Sequence, residues 1–217
     1  MITNNLKKRI FTSFLLFCLI YLVALYEFIL LYTLIVVGVV SSLEFISLVK
    51  KILKERIIKF IISFSFIIYI FSFCAIFFSL SNFIYLKVIL FSLLISCSAS
   101  DIGGFVTGKI FKGPKISKIS PNKTVSGSVG SLIFCCLTFS GLIFFFTKNI
   151  NLIFILTGLA TSVFCQIGDL FFSYLKRKAK IKDTGSILPG HGGLLDRIDG
   201  ILLGVPIGFI FLILFLR

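Results

Sequence analysis

The densest chemistry in the chain lies between Ser173 and Gly200, in the stretch SYLKRKAKIKDTGSILPGHGGLLDRIDG. It gathers Lys176, Arg177, Lys182 and Arg197, the carboxylates of Asp183, Asp196 and Asp199, several glycines and the only histidine, His191. Cations suit phosphate oxygens, and glycines such as Gly192 and Gly193 let backbone N–H groups approach a phosphate closely. Carboxylates hold Mg²⁺, which usually takes one or two of them and completes its shell with waters and substrate phosphates. Asp196 and Asp199 are three apart, so a helix beginning there carries both on one face. The N-terminus of such a helix also favours anions. The same pattern suits a solvated basic loop ahead of an acid-rich helix start.

Two further signals precede this stretch. Asp169 follows Gly168 within FCQIGDLFF, near the end of an apolar run. An ionisable group inside a membrane helix is costly, and so points to function by default. The plainer alternative is an interfacial carboxylate paired with Lys176 or Arg177. Asp101 closes the preceding charged boundary in the same way, which makes acids at helix ends candidates for a shared metal site. The second signal is Ser120-Pro121-Asn122-Lys123-Thr124, a lysine and two hydroxyls after a run of spaced lysines.

These residues need a scaffold, and composition says which. Of 217 residues, 58% are hydrophobic and 14% charged, and 28 are Phe. Mean hydropathy is +1.14. A soluble domain of this size is about 45–50% apolar and about 25% charged. A soluble enzyme, a disordered chain and a disulfide-stapled module are therefore excluded, and an all-α polytopic membrane protein is expected. Seven apolar segments are long enough, near residues 10–26, 28–49, 58–80, 83–100, 126–147, 150–174 and 199–216. The first two form one long run with its break at Glu27, read as the turn of a tight helical hairpin. Lys7-Lys8-Arg9 ahead of this run, without a small-x-small cleavage site after it, marks a first span and not a cleaved leader.

The net charge is +14. Basicity can signal nucleic acid, but here apolar segments divide the cations into clusters, which points to loops facing anionic lipid. With the N-terminus in the cytoplasm, 19 of the 22 Lys and Arg fall on the cytoplasmic side. Two long loops there, near 101–125 and 175–198, carry the polar residues described above. The six cysteines lie in apolar runs, form no CxxC pair and stand far in sequence from His191, so neither a disulfide framework nor a zinc site is expected. The whole chain, 1–217, reads as a single membrane domain: N-terminal spans over 1–97 and a motif-bearing half over 98–217.

The order and spacing of Ser173-x-x-Lys176-Arg177, Lys182-Asp183, Leu188-Pro189-Gly190-His191-Gly192-Gly193 and Asp196-Arg197-Ile198-Asp199 resemble the signature of the phosphatidate cytidylyltransferase (CDP-diacylglycerol synthase) family. Gly168-Asp169-Leu170, Ser120-Pro121-x-Lys123-Thr124 and Asp101…Gly108-Lys109 support the likeness, which covers about 98–217. The resemblance implies a Mg²⁺-dependent enzyme in the inner or plasma membrane of a bacterium, with its site facing the cytoplasm. It would make CDP-diacylglycerol and pyrophosphate from CTP and phosphatidic acid. Asp169 and Asp196 would be the principal metal ligands and Asp199 a weaker one. Lys176, Arg177, Lys182 and Arg197 would hold phosphates, Gly192 and Gly193 would bring amides to the triphosphate, and His191 would donate to a phosphate. Ser120, Lys123, Thr124, Ser173 and Asp183 complete the expected substrate contacts. Two positions depart from the family pattern: Val125-Ser126 stand where an acid is usual, and Phe172 stands where Glu precedes the signature serine. The rivals are another CTP-using lipid enzyme, such as a polyprenol kinase, and a non-enzymatic transporter. A transporter more often places its ionisable groups at mid-membrane. The bilayer is the expected partner, nucleic acid is not, and the choice between monomer and homodimer stays open.

Overall fold

The computed structural model describes residues 15, 18–117, 120, 123–185, 187 and 192–216. It is all-α. Residues 18–25 are helical. Then follow α1 (Glu27–Ile52), α2 (Arg56–Ser81), α3 (Ile84–Phe111), α4 (Val125–Thr147), α5 (Leu152–Lys178), the short α6 (Leu195–Ile198) and α7 (Ile201–Phe215). Among the described residues, six helical runs are long and apolar enough to cross a membrane: α1 to α5, and α6 continuing into α7. Their outer faces are greasy, with Phe28 85% and Tyr85 83% exposed, as lipid contact requires.

Helix boundaries have local causes. The break in the first apolar run falls at Tyr26, whose backbone is extended (φ −116°, ψ 119°), and Glu27 opens α1. Leu53 and Glu55 are likewise extended and separate α1 from α2. At the end of α4, Lys148 adopts a left-handed conformation and its N–H reaches the Phe144 carbonyl at 2.8 Å. At the end of α5, Ile181 N–H bonds to the Lys176 carbonyl and Lys180 N–H to that of Arg177, both at 3.0 Å. That is the pairing of a Schellman cap, with Lys180 (φ 55°) in the left-handed position usually held by glycine.

Two expected boundaries move. The fourth span was expected to end near residue 100, but α3 runs to Phe111, so Asp101 lies inside it. The polar turn at its end is held as helix by a neighbour: Thr107 Oγ1 bonds to Gly103 O within α3 (2.7 Å) and to Ser126 O (3.2 Å). The sixth span was expected to end at 174, but α5 extends through Lys178, so Ser173, Lys176 and Arg177 are helical.

Contacts divide the chain into two compact units, Met1–Asn82 with Leu175–Ile198, and Phe83–Tyr174 with Asp199–Arg217. In the first, α1 packs on α2, with Phe45 and Phe66 stacked 3.9 Å apart, and α6 rests on α1. In the second, α3 packs on α4 and on α7. Buried hydroxyls tie its helices together: Ser131 Oγ donates to Ser100 O (2.8 Å), and Ser100 Oγ meets Ser162 Oγ (2.9 Å). Such small polar residues act as interhelical glue where lipid removes the hydrophobic incentive.

Candidate active site

Within the second unit, α3, α4, α5 and the loop before α4 enclose a cavity of about 330 Å³. Asp101 and Gly104 come from α3, Gly127 and Ser128 from the first turn of α4, Gln166 and Asp169 from α5, and Ser120, Lys123 and Thr124 from the loop. Five of the residues singled out in the sequence, Asp101, Ser120, Lys123, Thr124 and Asp169, thus line one space.

Short-range hydrogen bonds shape the loop. Ile116 N–H bonds to Lys123 O and Val125 N–H to Pro114 O, both at 3.0 Å, and Lys115 bridges to Thr124. Thr124 caps α4, its Oγ1 accepting from Gly127 N–H at 3.1 Å. Ser126, at one departure from the family pattern, bonds to Thr124 Oγ1 at 3.1 Å and to the Lys112 carbonyl. Held this way, the loop aims the Lys123 ammonium at Asp169 Oδ2, 3.1 Å away. Their side chains are 31% and 17% exposed, so the pair is shielded from water only in part. Lys123 therefore fills the pairing role that the sequence offered to Lys176 or Arg177.

Asp169 is seated by glycine. A Cβ on Gly200 would lie 2.6 Å from Asp169 Oδ1 and 2.6 Å from Cys165 Sγ, so only glycine lets the turn before α7 pass this close. Asp101, Cys165 and Asp169 each offer a ligand atom, all within 4.8 Å of one another. The two carboxylates are hard oxygen donors of the kind Mg²⁺ takes, whereas the thiol is a soft ligand that Mg²⁺ does not favour. The donor set thus fits Mg²⁺ through Asp101 and Asp169. Asp199 lies in the turn after α6, its Oδ1 accepting from Gly200 N–H at 3.0 Å. The helix expected to carry Asp196 and Asp199 on one face closes at Ile198, before Asp199 is reached.

The first unit holds the described parts of the signature loop. Lys176 Nζ lies 2.8 Å from Asp196 Oδ1, with the two side chains 12% and 8% exposed. Asp196 Oδ2 accepts from Thr184 N–H (2.8 Å) and Gly193 N–H (3.1 Å). Asp196 thus ties α5 to both ends of the loop. Gly192 has φ +85° and sits against Asp183 and Asp196. Arg177, Lys182, Asp183 and Arg197 are exposed and Ser173 is half-buried. Phe172, the other departure, is 4% exposed and packs edge-on against Phe171. His191, with Leu188, Pro189 and Gly190, lies outside the described residues.

Sequence reasoning missed two residues here. Gln166 reaches Ser128 Oγ and places its Nε2 3.3 Å from Ser162 Oγ. Glu44, in the middle of α1, is 5% exposed and accepts three hydrogen bonds: from Thr184 Oγ1 (2.8 Å) and Leu195 N–H (2.9 Å) on Oε2, and from Leu194 N–H (3.0 Å) on Oε1. An acid inside an apolar span was the available signal, and it is the one that exposed Asp169.

Several bacterial proteins named phosphatidate cytidylyltransferase are similar to this chain. The one from Mycobacterium leprae is 42% identical over 115 residues, which is 52% of this chain and 36% of that protein. The one from Staphylococcus haemolyticus is 40% identical over 116 residues, 52% of this chain and 45% of that protein. The one from Rickettsia felis is 44% identical over 124 residues, 52% and 54% respectively. The chain thus spans about half, or less, of the length of the curated relatives it matches. A family model matches almost end to end, over residues 2–215, and by that match the chain belongs to the Cytidylyltransferase family.

Proposed function

We propose that this membrane protein transfers the cytidylyl group of CTP to phosphatidic acid, giving CDP-diacylglycerol and pyrophosphate at the cytoplasmic face of a bacterial membrane. The observation that carries this reading is the cavity lined by Asp101, Asp169, Lys123 and the first turn of α4. A phosphate oxygen of phosphatidate attacks the α-phosphorus of CTP, a P–O bond forms, and the bond to the β-phosphate breaks to release pyrophosphate. The attacking oxygen is already anionic, so no general base is required. What the site must supply is positioning and charge neutralisation.

The residues divide that work. Asp101 and Asp169 would hold Mg²⁺, which when bound neutralises phosphate charge as a Lewis acid. Lys123 holds phosphate oxygens from the loop. The N-terminal end of α4, whose Gly127 and Ser128 line the cavity, adds the partial positive charge of a helix N-terminus. Asp196, whose oxygens carry three protein hydrogen bonds, serves to fix Lys176 and the ends of the signature loop. By the family resemblance, Lys176, Arg177, Lys182 and Arg197 would hold phosphates.

The deciding assay uses the purified chain with labelled CTP. Nucleotide should be consumed only when phosphatidate is present, with pyrophosphate as the co-product. Consumption with a polyprenol acceptor, and release of CDP in place of pyrophosphate, would move the chain to the lipid-kinase reading. Orientation is tested separately. Lys115→Cys and Ile187→Cys, both at exposed positions, should resist an impermeant thiol reagent in intact cells and react once the membrane is opened. Labelling of either from outside would put the loops on the side without CTP.

A further inference from the structure

We propose that a groove between the facing ends of α1 and α2 is a binding site for an anionic phospholipid, distinct in its residues from the transfer site. The groove encloses about 700 Å³, within the range of small-ligand pockets, about 300–1,000 Å³. Its mouth is cationic: Lys50 at the end of α1, Lys54 in the connection, and Arg56 and Lys59 in the first turn of α2. No acid lines it, and among the described residues none of these four cations meets a carboxylate. Four like charges around one space repel one another, and an anion placed among them relieves that repulsion.

The rest of the groove is apolar, and its order is that of a lipid. Arg56, Lys59 and Phe60, Ser63 and Phe64, and Ile67 succeed one another at helical spacing, so they form one stripe along α2. At 1.5 Å per residue the stripe runs about 16 Å. It changes from cations to an apolar wall in which the Phe60 and Phe64 rings stack 5.8 Å apart, nearly parallel at 8°, with Ser63 as the one hydroxyl along it. A phosphate at the mouth with an acyl chain along this wall matches both chemistries at once. A free phosphate or nucleotide would leave the apolar wall unused. Basic pockets between membrane helices are a recurrent way to hold lipid head groups.

The test uses the full-length chain in phosphatidylcholine vesicles containing a minor fraction of spin-labelled phosphatidylglycerol, an anionic phospholipid that is not the proposed acceptor, without CTP. The wild-type chain should show a motionally restricted lipid component that unlabelled phosphatidylglycerol displaces and inorganic phosphate does not. Lys50→Gln/Lys54→Gln/Arg56→Gln should weaken retention about tenfold or more. Lys109→Gln/Lys178→Gln/Lys180→Gln, which removes equal charge from exposed positions elsewhere, should retain the lipid. Ser63→Trp keeps every cation but fills the groove, and should lose it. The proposal is overturned if no restricted component exists, if inorganic phosphate displaces it, if the two charge variants behave alike, or if Ser63→Trp still binds. The readout needs no turnover, so it succeeds or fails independently of the transfer reaction.

Discussion

Asp169→Asn is expected to lower turnover by about 10²–10³-fold, the cost typical of removing one preorganised electrostatic contact to a transition state, while the protein remains folded. The substitution keeps size and polarity, and the Lys123 pair it breaks is partly exposed, worth about 0–1 kcal/mol to stability. The activity loss should therefore far exceed the stability loss. It should also come with a higher Mg²⁺ requirement, because Asp169 is one of only two carboxylates in the ligand cluster. Asp196→Asn should lower turnover too, but with an unchanged Mg²⁺ dependence, since its oxygens are held by Lys176 and two amides. Lys178→Gln removes an exposed charge outside both clusters and serves as the control. Mg²⁺ titrations of the three variants, with a thermal melt of each, check this. A well-folded Asp169→Asn chain with near-normal activity would reduce Asp169 to an interfacial partner of Lys123.

Much of the scaffold was legible because apolar length is a coarse and robust signal. A segment of α2 such as residues 61–71, IISFSFIIYIF, has no alternative to lipid or core. The boundaries that moved are those where polarity resembled a loop. Ser98 to Thr107 is rich in serine, glycine and threonine, yet it stays helical in α3 because its small residues pack against α4. Lys176 to Lys178 read as a loop because they are basic, yet they complete the last turn of α5, where cations oppose the helix dipole. The site divides along the same line. Glycines, cations and acids concentrated in one stretch announce phosphate chemistry through composition alone. Which partner each takes does not follow, because Lys123 and Asp169 are 46 residues apart and no periodicity connects them. Glu44 lies 150 residues from Leu194, so its meaning exists only in the fold.

Glu44 is a second acid on which the fold depends through a single side chain. The acid sits in an apolar helix at 5% exposure, and a buried carboxylate is tolerated only when its oxygens are satisfied. Here all three partners are donors, from Thr184, Leu194 and Leu195, which flank the signature loop on either side. A Cβ on Gly193 would come within 2.5 Å of Glu44 Oε2, so the loop passes tightly over the carboxylate. Glu44 thus holds together the two ends of the loop that also grip Asp196. Glu44→Ala leaves a buried amide, a half-buried amide and a buried hydroxyl without their acceptor. Hydrogen bonds to a charged group contribute about 1.5–3 kcal/mol each and are not additive, so local opening should become easier by about 3 kcal/mol or more. At about 1.36 kcal/mol per decade, that speeds hydrogen exchange at Leu194 and Leu195 by roughly two orders of magnitude. Glu44→Gln keeps the shape but turns one acceptor into a donor facing donors, and should fall between wild type and Ala. Thr184→Val removes only the hydroxyl contact and should cost about 1 kcal/mol. Turnover should fall in the same order, Val least and Ala most, because a loosened loop no longer fixes Asp196 and Lys176. If exchange at Leu194 and Leu195 is unchanged in a folded Glu44→Ala chain, the carboxylate does not hold the loop. Any activity loss would then have to come from direct contact with substrate.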